Sequence, residues 1–176
     1  MAEFFRSLST AAIAFLLLFF FSSHFVKYSC AEKYLFVQGK VYCDTCRAAF
    51  ETELTEYIDG AMVKLECRDI EGGHITYSLE GVTNSTGVYR LPVQGDHAEE
   101  ICEVFLVKSP LPDCSEILKG GASARVQITS DDGVADNTRY VNSLGFLKTK
   151  AIDGCVNTLL EMDLPPEAMV PESTKN

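Results

Sequence analysis

Seven cysteines punctuate this 176-residue chain, and their positions constrain its fold more than any other feature. Six of them, Cys43, Cys46, Cys67, Cys102, Cys114 and Cys155, lie beyond an apolar leader, and Cys30 lies within it. Residues 1–31 read as a secretory signal peptide. Arg6 gives a weak positive start. Residues 11–21 form an unbroken apolar run, shorter than the ~20 residues a membrane-spanning helix needs. Ser22, Ser23, His24 and Lys27 interrupt the run before Phe25 and Val26 can extend it into an anchor. Ser29 and Ala31 put small residues at −3 and −1, so cleavage is expected after Ala31. Cleavage removes Cys30 and leaves an even set. In a secretory chain an even set implies a disulfide framework, and six cysteines leave fifteen connectivities open.

The mature segment, residues 32–176, is long enough for one domain with a real core. Disulfides would therefore reinforce a core rather than replace one. The full chain carries a net charge of −10; removing Arg6, Lys27 and Glu3 leaves 13 basic and 24 acidic residues, or −11. A surface of that sign repels nucleic acid and anionic membranes. No later segment is apolar enough to span a bilayer, and the polar residues 171–176 carry no lipid-anchor or ER-retention signal.

Strand signals fill the mature segment. Tyr34, Phe36 and Val41 give residues 33–42 β character, and Gly39 marks a bulge or a close backbone approach. Residues 46–58 read as an irregular connection with at most one helical turn. Val63, Leu65 and Cys67 alternate with Met62, Lys64 and Glu66, as in a half-buried strand. Further strands are expected at 74–79, 88–93, 101–107, 123–129 and 139–141, with turns at Glu71-Gly72-Gly73, Asn84-Ser85-Thr86-Gly87 and Asp131-Asp132-Gly133. Tyr89, Leu91 and Val93 form the expected inner face of their strand, and Pro92 assigns it to an edge or a strand end. Val156, Leu159 and Leu160 fit a short helix after Cys155. Six or seven short strands define an all-β sandwich or barrel.

Candidate chemistry is sparse. Cys43-Asp44-Thr45-Cys46 has the spacing of a thiol–disulfide exchange site, but no βαβ pattern follows it and four other cysteines need partners. Two structural half-cystines are the better reading. Zinc would need a second pair or histidines at ligand spacing, and the mature segment has only His74 and His97. No metal or cofactor is expected. His97, in Gly95-Asp96-His97-Ala98-Glu99-Glu100, reads as part of a solvated turn rather than as a pH switch or acid/base catalyst. Asp131-Asp132-Gly133 with Asp136 lacks the calcium-loop spacing and reads as a hairpin turn. No nucleophile elbow is present, so no catalytic residue is assigned. Asn84-Ser85-Thr86 is the one N-x-S/T sequon, in an expected turn, so Asn84 is the expected glycosylation site.

Gln38-Gly39-Lys40-Val41-Tyr42-Cys43-Asp44-Thr45-Cys46-Arg47 resembles the signature of the plant pollen Ole e 1-like family, which includes olive pollen allergen-like and tomato anther-specific proteins. The segments 50–54, 60–67 and 141–146 resemble family segments as well, and the six cysteines match the family order. The resemblance implies the disulfides Cys43–Cys114, Cys46–Cys155 and Cys67–Cys102, each worth roughly 3–5 kcal/mol by chain entropy. A looser likeness to prealbumin-like and carboxypeptidase regulatory-like sandwiches speaks to fold alone.

The expected function is that of a secreted, non-enzymatic protein of the extracellular space or cell wall. The resemblance implies a pollen or anther role in hydration, germination or tube growth, and a receptor-kinase ectodomain or wall component as partner. The segments 94–100 and 109–121 are the candidate binding loops. A wall-acting enzyme or inhibitor, and a thiol oxidoreductase using Cys43 and Cys46, are the rival readings.

Overall fold

A computed structural model describes residues 34–118 and 123–172. The expected signal peptide, Cys30 and its cleavage site lie outside the described residues, as do residues 119–121 of the second candidate loop. Ten strands are described: β1 (Tyr34–Asp44), β2 (Glu56–Tyr57), β3 (Met62–Asp69), β4 (Ile75–Val82), β5 (Val88–Gln94), β6 (Glu100–Lys108), β7 (Cys114–Glu116), β8 (Ser123–Val126), β9 (Thr138–Tyr140) and β10 (Leu144–Lys148). Helix α1 (Cys155–Glu161) and a 3₁₀ turn (Pro166–Ala168) follow.

The strands form two sheets. One has six strands around β1, with β2, β5, β9 and β10 paired to it and β7 beyond β10. The other has four, ordered β4-β3-β6-β8. The result is a sandwich and not a closed barrel, which decides between the two sequence-based alternatives. Alternation does the sorting, because successive side chains on a strand point to opposite faces. On β1, Leu35, Val37, Gly39, Val41 and Cys43 are buried while Tyr34, Phe36, Gln38 and Lys40 are not fully covered. On β5, Tyr89, Leu91 and Val93 are buried, as the pattern predicts. Across the core from them lie Val63 and Leu65 of β3 and Val104 of β6, and Phe146 of β10 joins from their own sheet, all fully enclosed. Each such large apolar side chain contributes about 1.5–3 kcal/mol relative to exposure. Among the described strands β5 pairs with β1 alone, which fits Pro92 on an edge.

Gly39 is a close approach. A Cβ there would lie 2.3 Å from the Tyr89 hydroxyl, because the Tyr89 ring from the register-paired position folds over the glycine. Only glycine leaves that space open.

Two expectations change. Asp131-Asp132-Gly133 does not close a hairpin. Strand β8 pairs with β6, whereas β9 pairs in parallel with β1 in the other sheet, so this segment is a crossover. Local turn chemistry is the same in both cases, and only the strand partners distinguish them. The strand count also rises from six or seven to ten: β9 is the strand expected at 139–141, β10 is not among the expected strands, and neither are β2 and β7, which are only two and three residues long. Such strands are too short to show a period. Residues 46–58 contain no helix, and the chain reaches β2 through turns.

Candidate functional site

The cysteine motif builds a structural knot at the end of β1. Three disulfides form: Cys43–Cys114, Cys46–Cys155 and Cys67–Cys102, at sequence separations of 71, 109 and 35. The chain-entropy model gives about 4–5 kcal/mol for loops of these lengths. Cys43 and Cys46 face opposite ways. Cys43 lies in the main core, and Cys46 joins a smaller cluster with Ala48, Cys155 and Leu159, which docks α1. Neither sulfur reaches solvent, and the two are not bonded to each other. That geometry leaves no exposed Cys43–Cys46 pair to exchange.

Between and after them, each motif side chain has a task. The Asp44 carboxylate accepts hydrogen bonds from the Ala48 and Ala49 amides at 3.0 and 2.7 Å. The Thr45 hydroxyl donates to the Leu54 carbonyl at 2.7 Å. Arg47 is 1% exposed and sits at φ 54°, in the left-handed region that disfavours side chains with a Cβ. Its guanidinium forms a two-pronged pair with Glu116, at 2.8 and 3.2 Å. It also donates to the carbonyls of Lys148, Val170 and Pro171. One side chain thus ties β1 to β7, β10 and the C-terminal segment. Sequence reasoning missed it: the arginine is visible beside Cys46, but its acceptors are remote.

His97 is buried rather than solvated. Its Nδ1 lies 2.9 Å from Glu100 Oε2, and its Nε2 lies 3.1 Å from the Gln94 carbonyl. Its ring rests against Tyr77, with centroids 4.8 Å apart. Asp96 accepts from Thr129, Ser130 and Ala98, so the segment 94–100 is tied down to the β8–β9 crossover. The Ser130 amide, then the Thr129 hydroxyl and the Ala98 amide, hold the Asp96 carboxyl below its usual range despite some burial. For Glu100, burial pushes upward but is outweighed by hydrogen bonds from Thr76 and His97, and the net shift is downward. This first candidate loop is a fastened corner.

His97 and Glu100 approach the Cys67–Cys102 disulfide, with ligand-type atoms all within 4.8 Å. The two sulfurs are bonded to each other, so neither is a thiolate and what remains is a histidine–carboxylate pair. His74 is exposed at the β3–β4 turn, apart from His97 in any hydrogen-bonded group. Asp132 pairs with Arg139 at 2.7 Å, and Asp136 accepts from the Thr138 amide, so these acids serve the crossover. In the second candidate loop, Asp113 pairs with Lys148 at 2.7 Å, while Leu111 and Ile117 are exposed.

Asn84 is exposed in the turn between β4 and β5. Its side-chain oxygen accepts from the Thr86 amide and hydroxyl, at 3.0 and 2.8 Å, and from the Val88 amide. The sequon asparagine and threonine are therefore in direct contact.

The outward face of β1 carries open aromatic rings near the motif. Tyr140 of β9 lies beside Gln38, and Tyr57 of β2 lies opposite Tyr42. Lys40 Nζ sits 4.6 Å from the centre of the Tyr57 ring, and the Arg90 guanidinium lies 4.0 Å over Phe36. Tyr42 is mostly covered, and burial, followed by the charges of Asp44 and Glu51, pushes its phenol up to about 12.

These features define a β-sandwich stapled by three long-range disulfides, with its signature motif acting as a structural knot. A family model described as "Pollen protein Ole e 1 like" matches residues 33–163. The chain belongs to that family. It is 46% identical over 143 residues to an Olee1-like protein of Betula pendula, covering 80% of this chain and 86% of that one. It is also 46% identical to the anther-specific protein LAT52 of Solanum lycopersicum, covering 78% and 85%, and 45% identical to pollen allergen Che a 1 of Chenopodium album, covering 76% and 82%. The crystal structure of the major plantain pollen allergen Pla l 1 superposes with a TM-score of 0.63 at 39% identity, covering 69% of this chain and 99% of that one.

Proposed function

We propose that this chain is a secreted, non-enzymatic scaffold of the plant extracellular space or cell wall. It serves pollen hydration, germination or tube growth by binding a partner, such as a receptor-kinase ectodomain or a wall component. The observation that carries this reading is the burial of all six disulfide cysteines, none more than 2% exposed, in bonds that span most of the domain. Such a frame suits an oxidising compartment. It also holds its surface in one shape, so little ordering cost falls on binding. The pollen- and anther-specific names of the relatives support the tissue. Asn84 is the proposed glycosylation site, on an exposed turn where Thr86 already contacts it.

The test follows the tagged protein in pollen-type plant cells. Recovery from the wall or medium, with no free thiols, is the expected outcome. Retention in the cytosol with titratable cysteines would refute secretion. Affinity capture from cell-surface extract with oxidised protein and a fully reduced control tests the scaffold, since a partner that binds both equally does not read a disulfide-held surface. Turnover of wall polymers or proteins, lost in a folded His74 or His97 variant, would replace the scaffold by the wall-enzyme reading. For Asn84, the Asn84→Gln variant should lose a glycosidase-sensitive mass increment.

A further inference from the structure

We propose that the outward face of β1 binds a neutral oligosaccharide, in a shallow depression bordered by Tyr57 and Tyr140. The depression has a volume of about 250 Å³ and is lined chiefly by Gln38, Lys40, Glu51, Tyr57, Tyr140 and Ser143. Tyr140 is 71% exposed and Tyr57 46%, values that leave ring surface open to a ligand. Both rings stand on strands paired to β1, at Gln38 and Tyr42, so they lie about 13 Å apart along the strand direction. That span suits a short oligosaccharide better than a single sugar.

The lining chemistry selects the ligand. A pyranose has an apolar face of C–H groups and an equatorial ring of hydroxyls. Tyrosine supplies a flat apolar surface with a polar tip. The Gln38 amide, the Ser143 hydroxyl, the Glu51 carboxylate and the Lys40 ammonium supply acceptors and donors for the hydroxyls. Its aliphatic lining is limited to Val88 and Val141, and no Leu, Ile or Met is among the lining residues to anchor a hydrophobic protein contact. One lysine and one glutamate cancel locally. The chain as a whole is acidic, with net charge −10, so an anionic polymer is repelled. A neutral glycan has no such penalty. The platform is pre-formed: Gln38 and Lys40 stand on the long strand β1, and β9 is pinned by the buried Arg139, which donates to the Thr129 carbonyl and pairs with Asp132.

This inference deepens the wall-component part of the proposed function and rests on it only for where the ligand would be met. Affinity electrophoresis and calorimetry of the oxidised mature protein test it. The probes are soluble β-1,4-glucan and β-1,4-galactan hexaoses, with polygalacturonate as the anionic comparison. Retardation by a neutral probe is expected, with polygalacturonate weaker. Tyr140→Ala and Tyr57→Ala should each weaken it by about three- to tenfold. Tyr34→Ala, outside the depression, should leave it unchanged. Both tyrosines are exposed, so unaltered circular dichroism and Tm will show that the variants fold. Absence of binding to both neutral probes overturns the proposal, as does binding that survives both tyrosine variants. Tighter binding of polygalacturonate, or loss of a captured protein partner in place of glycan binding, overturns it as well. A secreted protein that fails this test leaves the extracellular reading standing, and a glycan-binding protein held in the cytosol does the reverse.

Discussion

Arg47→Ala is the sharpest test of the knot. The substitution removes the donors that serve Glu116 and the carbonyls of Lys148, Val170 and Pro171. Breaking a buried ion pair from one side typically costs about 3–5 kcal/mol. The Glu116 side chain is 28% exposed and regains some water, so the expected loss here is about 2–4 kcal/mol. In urea, with m near 2 kcal/mol/M for a domain of this size, that is a fall in midpoint of about 1–2 M at unchanged m. The backbone offers a second, opposite reading. At φ 54° an alanine retains the left-handed strain and a glycine does not. Arg47→Gly should therefore be milder than Arg47→Ala by about 1 kcal/mol. The segment beyond Leu164, which Arg47 holds at Val170 and Pro171, should become protease-sensitive in both variants before global unfolding. An Arg47→Ala loss below 1 kcal/mol, or a glycine variant less stable than the alanine one, would refute the account of this knot.

Other outcomes follow from the same structure. The Tyr89 hydroxyl is buried without a hydrogen-bond partner, and burial raises its pKa, so Tyr89→Phe should be neutral or slightly stabilising in a denaturant titration. Gly39→Ala drives a methyl into that ring and should cost about 1–3 kcal/mol by the same measurement. Thr83→Val leaves the Ala61 amide and the Ile58 carbonyl unpaired in the core and should cost about 1–3 kcal/mol in denaturant. Acid should destabilise the fold through Glu66, Asp96 and Glu100, whose folded pKa values all lie below their ordinary 4.5, 3.8 and 4.5. The unfolded chain then binds more protons, so their stabilisation is present above about pH 5 and disappears as pH falls through the depressed values. Glu66 owes its shift first to the Lys64 hydrogen bond and then, against burial, to Arg68. Thermal melts from pH 7 to 2 should show Tm falling below pH 5, and the Glu66→Gln variant should flatten that slope.

The all-β class was legible in the sequence because its evidence is local. Alternation along β1, β3 and β5 needs only a strand's own residues, and Gly39 announced a close approach without naming Tyr89. The turn at Asn84 was legible for the same reason, since Thr86, the residue Asn84 contacts, is two positions away. The family, too, was carried by a contiguous run, Gln38 to Arg47.

Tertiary structure alone decided the rest. Arg47 takes its partners 69 to 124 residues away, and nothing beside Cys46 in the sequence says whether its charge is solvated or enclosed. His97 looked like part of an exposed turn because its neighbours are polar. Glu100 and the Gln94 carbonyl are only three residues away, but Tyr77 covers the ring only once β4 packs beside them. Tyr57 and Tyr140 come from strands of two and three residues and share one face only because both pair with β1. Periodicity reports which side of a strand faces inward. Which strands are neighbours is set by long-range closure, and that pairing places the knot, the fastened corner and the open tyrosine face.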